Sequence, residues 1–501
     1  RSLSHIGAEV PRFCRPSLEA AGLPMASAYL DKVVQLRMPL PAIDTSARTQ
    51  LMDESLSRLH PDAHAHYFDV SDRRLTDIYY SGLRDLLEQP RDFARVFNTV
   101  AMLEPALRGE VVLADIIGFA ALMVKAPKVF ELLKREPRWF AGAMTTIEAQ
   151  LKKPKEYVEE GALRVKSAIA EGGHPDAIRR LVGALFPLTA QDDEWVSVHS
   201  GANALGRLEA PERLLIALQY RAGDNQVSLV RARNYLLQPG QRHQIVQALN
   251  SDNCLDFLAQ LADMGESDAL GAIDEVGDLC VEIARLADLT LFVQCSRDRS
   301  AFYLRRSKDV ALMAMERLAR ARARQCGPSI AAKVVSEPLA LSVAMEVFWD
   351  SYVLDNNHDR ELTCAPNSRS TLLETLMRNV MEAASDGRLL EVCNPGNLLW
   401  KLTKVAPQEC ATVFEAMRVS DPTLDGFAVA LLGDTYDSVK GQIFAVPDDL
   451  SRLESYCQIS ALKDHAGKRL GEGQAAGPAR AAWLAVVSGK KLYGDGTEVA
   501  R

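Results

Sequence analysis

The chain has 501 residues, 48% of them hydrophobic and 25% charged, a composition typical of a globular protein with room for roughly three domains. Its formal net charge of −8 and its aromatic content of 6% give no general reason to expect nucleic acid or an anionic membrane as a partner. Because no run of 18 or more apolar residues occurs, the sequence predicts no membrane-spanning helix.

The nine cysteines are scattered singly along the chain, and no Cys-x-x-Cys motif occurs. Most of them lie within apolar helical segments. This usage favours reduced, buried thiols over disulfides or a zinc site, and it predicts a cytoplasmic protein.

The first predicted element is a β-strand from Val33 to Leu40, in the segment "YLDKVVQLRMPLP". Its apolar side chains alternate with polar ones, which is the period-2 pattern of a half-buried strand. A lone strand is not stable, so we expect this one to pair in parallel with strands that precede Arg1 in the intact protein. The start at Arg1 rather than Met agrees with that expectation.

Helical periodicity dominates after this strand, with about twenty helical segments and little strand signal beyond position 45. A helix is predicted around residues 93–107, where apolar residues recur at spacings of three and four, and another around 273–289. Pro211, before "ERLLIALQY", is typical of the first turn of a helix. The tail from Gly494 is expected to be frayed.

Composition shifts near residues 145–160 and 325–335 suggest two domain boundaries. The predicted fold class is therefore mostly α, divided into residues 1–150, 151–330 and 331–501. No repeat of fixed length occurs, so a regular solenoid is not supported, although irregularly stacked helices remain open.

Several segments resemble the KAP family of P-loop NTPases. "YLDKVVQLRMPLP" is similar to the family's Tyr-Leu-Glu-Lys-Ile-Val-Gln segment and its following strand, and "QPRDFARVFNTV" is similar to its Thr-Pro-Arg-Asp-x-x-Arg-x-x-Asn helix. "RGEVVLADIIGFAALMVKAPKVFELL" resembles the helix pair that follows. Weaker likenesses are found in "LEAPERLLIALQYRAGDNQVS" and "YDSVKGQIFAVPDDLSRLESY".

The resemblance implies that residues 1–150 are the end of a P-loop NTPase domain with its helical lid, and that the later helical domains serve interaction or regulation. ATP and Mg²⁺ would be the cofactors of the intact protein. The sequence has no G-x-x-x-x-G-K-[ST] phosphate-binding loop, and "GKRLGEG" and "SGKKLYGDG" carry Gly and Lys in the wrong order. We therefore expect this chain alone to bind no ATP and to be inactive.

Arg91 is the one catalytic candidate. By resemblance it occupies the sensor position of the lid, where a guanidinium meets the γ-phosphate. The alternative is that Arg91 and Asp92 simply form the solvated first turn of a helix. Arg95 is expected to pair with Asp92 or Asp85.

Other candidates are weaker. Lys32 and Gln35 match the family motif but favour structural roles. His60, His64 and His66 lie close together in "LHPDAHAHYF" without the companions of a metal site, so no metal is predicted. The basic segment from Tyr303 to Gln325 could bind phosphates or a partner, although a helix face balanced by nearby acids is the commoner outcome.

Two functions from different classes follow. The first is the lid and regulatory region of a KAP-type ATPase that couples hydrolysis to partner signalling, in bacterial anti-phage defence by family association. The alternative is a non-enzymatic helical adaptor or scaffold. Protein partners or a homo-oligomer are expected in either case, whereas nucleic-acid binding would require the basic segment.

Overall fold

The computed structural model describes residues 44–59, 73–143, 155–190, 200–266, 273, 275–298, 306–323, 325–353, 360–437, 440–447, 450–475 and 477–499. These residues are mostly helical, which confirms the predicted fold class. The predicted strand at 33–40, Lys32, Gln35 and the three histidines at 60–66 lie outside the described residues.

One group of helices builds a hydrophobic core from Met52 to Ala217, and we call it the N-terminal body. Its helices are α1 Thr45–Ser57, α2 Arg74–Ile78, α3 Arg84–Leu86, α4 Pro90–Leu107, α5 Leu113–Lys125, α6 Pro127–Arg135, α7 Arg138–Ala141, α8 Lys155–Ala170, α9 Pro175–Leu185 and α11 Pro211–Gln219. The short helix α10 Ser200–Ala204, between α9 and α11 in the chain, packs against the second core described below. A π-helical turn, Tyr79–Leu83, joins α2 to α3, and a 3₁₀ turn, Pro187–Ala190, follows α9.

The centre of the N-terminal body is the antiparallel pair of α4 and α5. The predicted stripe on α4 is confirmed, since Phe93, Val96, Phe97 and Val100 are all buried. The helix α5 is apolar on nearly every side and lies inside the body, as expected of a helix without a polar face. Gly82 lets the π-helical turn approach α9, because a Cβ there would lie 2.2 Å from the carbonyl oxygen of Ala177.

A second core runs from Leu229 to Leu492, and we call this group the C-terminal body. Its helices are α12 Leu229–Leu237, α13 Arg242–Gln247, α14 Cys254–Gly265, α15 Val276–Asp288, α16 Thr290–Asp298, α17 Ser307–Arg322, α18 Gly327–Val335, α19 Leu341–Val353, α20 Arg369–Ser385, α21 Pro395–Val405, α22 Cys410–Ser420, α23 Asp425–Leu432, α24 Ser451–Glu454, α25 Ile459–Gly471 and α26 Gly477–Ser488. Its 3₁₀ turns are Pro239–Gln241, Pro366–Ser368, Arg388–Leu390 and Pro407–Glu409.

The helices α14, α15 and α17 form the most closely packed group of the C-terminal body. The periodic stripe predicted around 273–289 matches α15, which buries Leu279, Ile283 and Leu286. The second core continues from α17 into α18 and α19 without a break. The domain boundaries near 150 and 330 stay predictions.

A small antiparallel sheet lies near the end of the chain, where few strands were expected. Its strands are β1 Gly433–Asp437, β2 Gly441–Phe444 and β3 Leu492–Tyr493, with Ile443 opposite Tyr493. The tail expected to be frayed instead turns back on β3, because the amide of Tyr493 donates to Thr497 O and Leu492 forms a bridge with Glu498. Asp495 stabilises the turn by accepting from the amide of Thr497 at 2.8 Å.

A buried polar junction joins the two bodies. The Arg213 guanidinium on α11 is wholly buried, and it donates to Glu110 Oε2 at 2.8 Å, Asn203 Oδ1 at 2.9 Å and Val227 O at 2.7 Å. Glu110 also accepts from the amide of Leu229 at 2.9 Å and from the Ser228 hydroxyl at the start of α12. One carboxylate thus holds the last helix of one body to the first helix of the other.

Within the described ranges, every helix is too short or too polar to cross a membrane. No disulfide joins the described cysteines, and six of these eight are buried. The predicted burial of most thiols is therefore confirmed for that part of the chain.

Candidate functional site

Arg91 lies at the exposed first turn of α4, the longest helix of the N-terminal body. Pro90 opens the helix, where its missing N–H costs no hydrogen bond. Gln89 and Asp92 form a capping box, in which the amide of Gln89 donates to Asp92 Oδ2 at 3.1 Å. The backbone that carries Arg91 is therefore fixed on both sides.

The Asp92 carboxylate, next to Arg91 in sequence, is neutralised from a different helix. It is buried, and its Oδ1 lies 2.9 Å from Lys125 Nζ at the end of α5. Because Lys125 neutralises this carboxylate, it does not repel an anion that binds near Arg91. The pair also fixes the first turn of α4 against α5.

The carboxylates before α4 are also balanced by bases of other elements. Asp85 Oδ2 lies 2.6 Å from Arg180 Nη2 of α9, and Glu88 lies 3.8 Å from His174 at the start of α9. Arg95, one turn after Arg91, is exposed, whereas Asp92 and Asp85 have the partners just named. The prediction that Arg95 pairs with either of them is therefore wrong, because Lys125 and Arg180 lie closer.

The described part of the basic segment contains α17, and three of its cations are met by carboxylates. Lys308 is buried between Asp309 and Glu346, Arg317 Nη1 lies 2.7 Å from Asp263 Oδ1, and Arg320 Nε lies 3.3 Å from Glu361 Oε1. This agrees with a helix face balanced by acids. Because carboxylates neutralise these three cations, the cations offer little positive charge to a phosphate.

The two segments that look like phosphate loops have other structures. Gly467 to Gly471 lie in the last turns of α25, and Lys490 and Lys491 lie between α26 and β3. Neither segment is the turn between a strand and a helix that cradles a phosphate. Among the described residues, no cluster of His, Cys, Asp or Glu has the arrangement of a metal site.

Sequence reasoning missed two polar arrangements. One is the junction around Arg213, and the other is a recess of about 310 Å³ in the C-terminal body, lined by α12, α13, α15, the turn before α19 and the 3₁₀ turn Arg388–Leu390. A signal for the junction was present, since Arg213 interrupts the apolar segment "PERLLIALQ" at a position that faces the core. No sequence signal pointed to the recess, because the residues that line it come from five separated segments.

No family model, no curated protein and no solved structure matches this chain.

Proposed function

We propose that this chain is the helical lid and regulatory region of a KAP-type ATPase, with Arg91 facing the nucleotide in the intact protein. The proposal depends on the resemblance of "QPRDFAR" to the family's lid helix. It is supported by one observation above all: an exposed arginine at the start of a long helix whose first turn is fixed by a capping box and an ion pair.

The arrangement suits a group that senses a phosphate. The N-terminus of a helix carries partial positive charge, and a guanidinium adds a fixed charge with forked donors. The neighbouring Asp92 already serves Lys125 and the Gln89 amide, so it does not compete for that charge. In this role Arg91 binds and orients a γ-phosphate oxygen, while ATP and Mg²⁺ are held by residues outside this chain.

The remaining helices would transmit the motion of the lid. α4 belongs to the body that ends at α11, and α11 is tied through Arg213 and Glu110 to the first helix of the C-terminal body. A displacement at the lid would therefore reach the C-terminal body through a buried, fully hydrogen-bonded contact. We propose that this body binds the signalling partner or a second copy, in a cytoplasmic defence system.

The proposal is tested first by the reading frame and by an assay of the chain itself. We expect the native reading frame to encode G-x-x-x-x-G-K-[ST] before the position of Arg1, and the purified 501-residue chain to show no ATP hydrolysis above background. A reading frame without such a loop, or steady turnover by the chain alone, would contradict the proposal. The first of these results would favour the non-enzymatic adaptor.

A further inference from the structure

The recess of about 310 Å³ in the C-terminal body lies between α13, α15 and the turn that leads into α19. This volume is at the lower end of the range for pockets that bind small molecules, about 300–1,000 Å³. An occupant must therefore be small.

Much of the lining is aliphatic and open to solvent. Leu289 and Leu339 are 41% and 55% exposed, although they lie beside the buried side chains of Leu286 and Leu341. Aliphatic side chains left exposed within a concave surface gain free energy when an apolar group covers them. The occupant should therefore have an apolar portion.

Most of the charges in the recess are already satisfied. Arg285 lies 2.8 Å from both Glu282 and Glu337, and Arg388 lies 2.8 Å from Asp386. The Asp288 carboxylate is turned inward, where it accepts from the amides of Ser342 and Cys393, each at 2.9 Å. The Arg285 Nε is buried without a hydrogen-bond partner, but the two terminal nitrogens of this guanidinium already donate to carboxylates.

Two charged groups that line the recess, one positive and one negative, have no oppositely charged partner among the described residues. Arg242 donates its Nε to Tyr235 O at 3.0 Å and has no carboxylate partner among the described residues. Glu391 lines the same recess, is exposed, and has no cationic partner in that part of the chain. The recess thus offers one guanidinium and one carboxylate beside an apolar wall.

We propose that this recess binds a small zwitterion with an apolar side chain, namely an aliphatic amino acid or a short peptide with both ends free. Its carboxylate would bind the Arg242 guanidinium, its ammonium would bind Glu391, and its side chain would cover Leu289 and Leu339. A purely anionic ligand would satisfy Arg242 but would meet the Glu391 carboxylate. This site is separate from Arg91 and goes beyond the nucleotide function proposed above.

The experiment is a calorimetric titration of the purified chain with leucine and, separately, with leucyl-leucine. We expect at least one of the two to bind saturably with a dissociation constant of about 1 mM or lower. Two analogues test the charges: 4-methylpentanoate lacks the ammonium, and 3-methylbutylamine lacks the carboxylate. Each should bind at least about tenfold more weakly than leucine, because one charge-assisted contact is lost.

Variants test whether Arg242 binds the carboxylate of the ligand and whether Glu391 binds its ammonium. Arg242→Gln and Glu391→Gln should each weaken binding at least about tenfold, whereas Arg231→Gln on α12 and Glu382→Gln on α20, both outside the recess, should leave it unchanged. Glu391→Gln and the two control variants should melt at the wild-type temperature, whereas Arg242→Gln should melt slightly lower because it loses the hydrogen bond to Tyr235 O. Which of the two probes binds more tightly distinguishes a free amino acid from a peptide.

The proposal is overturned by any of three results: neither probe binds wild-type protein at about 10 mM, 4-methylpentanoate binds as well as leucine, or the two recess variants bind as wild type does. None of these results bears on ATP hydrolysis. The failure of this site is thus distinguishable from the failure of the lid proposal.

Discussion

The two bodies bury charge in different ways. In the N-terminal body the buried carboxylates Asp92, Glu104, Glu110 and Asp115 each have one cationic partner, and for three of them that partner is an arginine. In the C-terminal body the Glu346 carboxylate lies between two buried lysines, Lys308 and Lys401. The first body therefore has one-to-one pairs, whereas the second has a carboxylate that is shared by two cations.

The two arrangements differ in how they hold a carboxylate. The forked donors of arginine fix a carboxylate in one orientation, and the C-terminal body also has such pairs, for example Arg469 with Asp425. A lysine is a point charge whose pKa changes readily on burial, and burial lowers the pKa of Lys401. The contrast therefore lies between the arginine pairs and the Glu346 cluster.

The largest expected effect on stability is that of Arg213→Leu at the junction between the two bodies. This change leaves Glu110 buried without its cation, together with two other acceptors, and should lower the free energy of unfolding by about 3–5 kcal/mol. Chemical denaturation followed by circular dichroism measures it. The control is Arg179→Leu, whose ion pair with Asp176 is exposed and whose loss should cost less than about 0.5 kcal/mol. Equal losses would show that the junction does not stabilise the fold.

Two phenylalanines of equal exposure test whether the bodies unfold together. Phe97 in α4 and Phe414 in α22 are both 7% exposed, and replacing either by alanine should cost about 3–5 kcal/mol through an unfilled cavity. If the junction couples the bodies, each variant lowers one common calorimetric transition. Adding Arg213→Leu should then split that transition in two. Separate transitions in the wild-type protein would argue against the coupling.

A smaller effect, with a distinct dependence on pH, is expected of Glu346→Gln. Burial by itself raises the pKa of Glu346, but Lys308 and Lys401 outweigh burial and leave that pKa below its ordinary value of 4.5. The carboxylate therefore adds stability above about pH 4.5 that is lost as the pH falls through the lower pKa of the folded state. At pH 7 the substitution should cost about 2 kcal/mol, since Lys308 keeps Asp309 at 3.0 Å.

The measurement for Glu346→Gln is the melting temperature of both proteins between pH 7 and pH 3. We expect the gap between variant and wild type to shrink as the pH falls below the ordinary glutamate value. A gap that stays constant over this range would mean that the charge of Glu346 contributes nothing.

The smallest effect on stability is expected of Arg91→Ala. The side chain is exposed, and surface substitutions of this kind usually change stability by less than about 0.5 kcal/mol. A melting temperature equal to that of the wild-type chain is the expected result. A large decrease would make Arg91 a structural residue of α4 and would weaken its assignment to the nucleotide.

The helices could be predicted from the sequence because their signals are local. The stripe on α4 and the proline that starts α11 each depend on neighbouring residues, and each is confirmed. The small sheet was missed because β1 and β2 are only five and four residues long, and because β2 pairs with a strand almost fifty residues later. Such pairings leave no periodic signal in a short segment.

The arrangements that could carry function were harder to predict because they depend on distance in space rather than in sequence. Glu110 and Arg213 are 103 residues apart, and Arg242 and Glu391 approach one recess from α13 and from the turn before α21. A lone charge in an apolar helix, such as Asp115 in "LADIIGFAALM", does indicate a buried ion pair. Its partner, Arg74, could only be identified from the structure.

The most direct test of the central claim is the rate of ATP hydrolysis by the product of the full native reading frame carrying Arg91→Ala, with Arg95→Ala as the matched control. Both arginines are exposed and lie one turn apart on α4, so the control removes the same kind of side chain from the same helix. The account predicts that Arg91→Ala lowers turnover by roughly tenfold to thousandfold, as loss of one charge-stabilising donor does, while Arg95→Ala hydrolyses ATP at nearly the wild-type rate. Unchanged turnover in Arg91→Ala would contradict it, and α4 would then be a structural helix only.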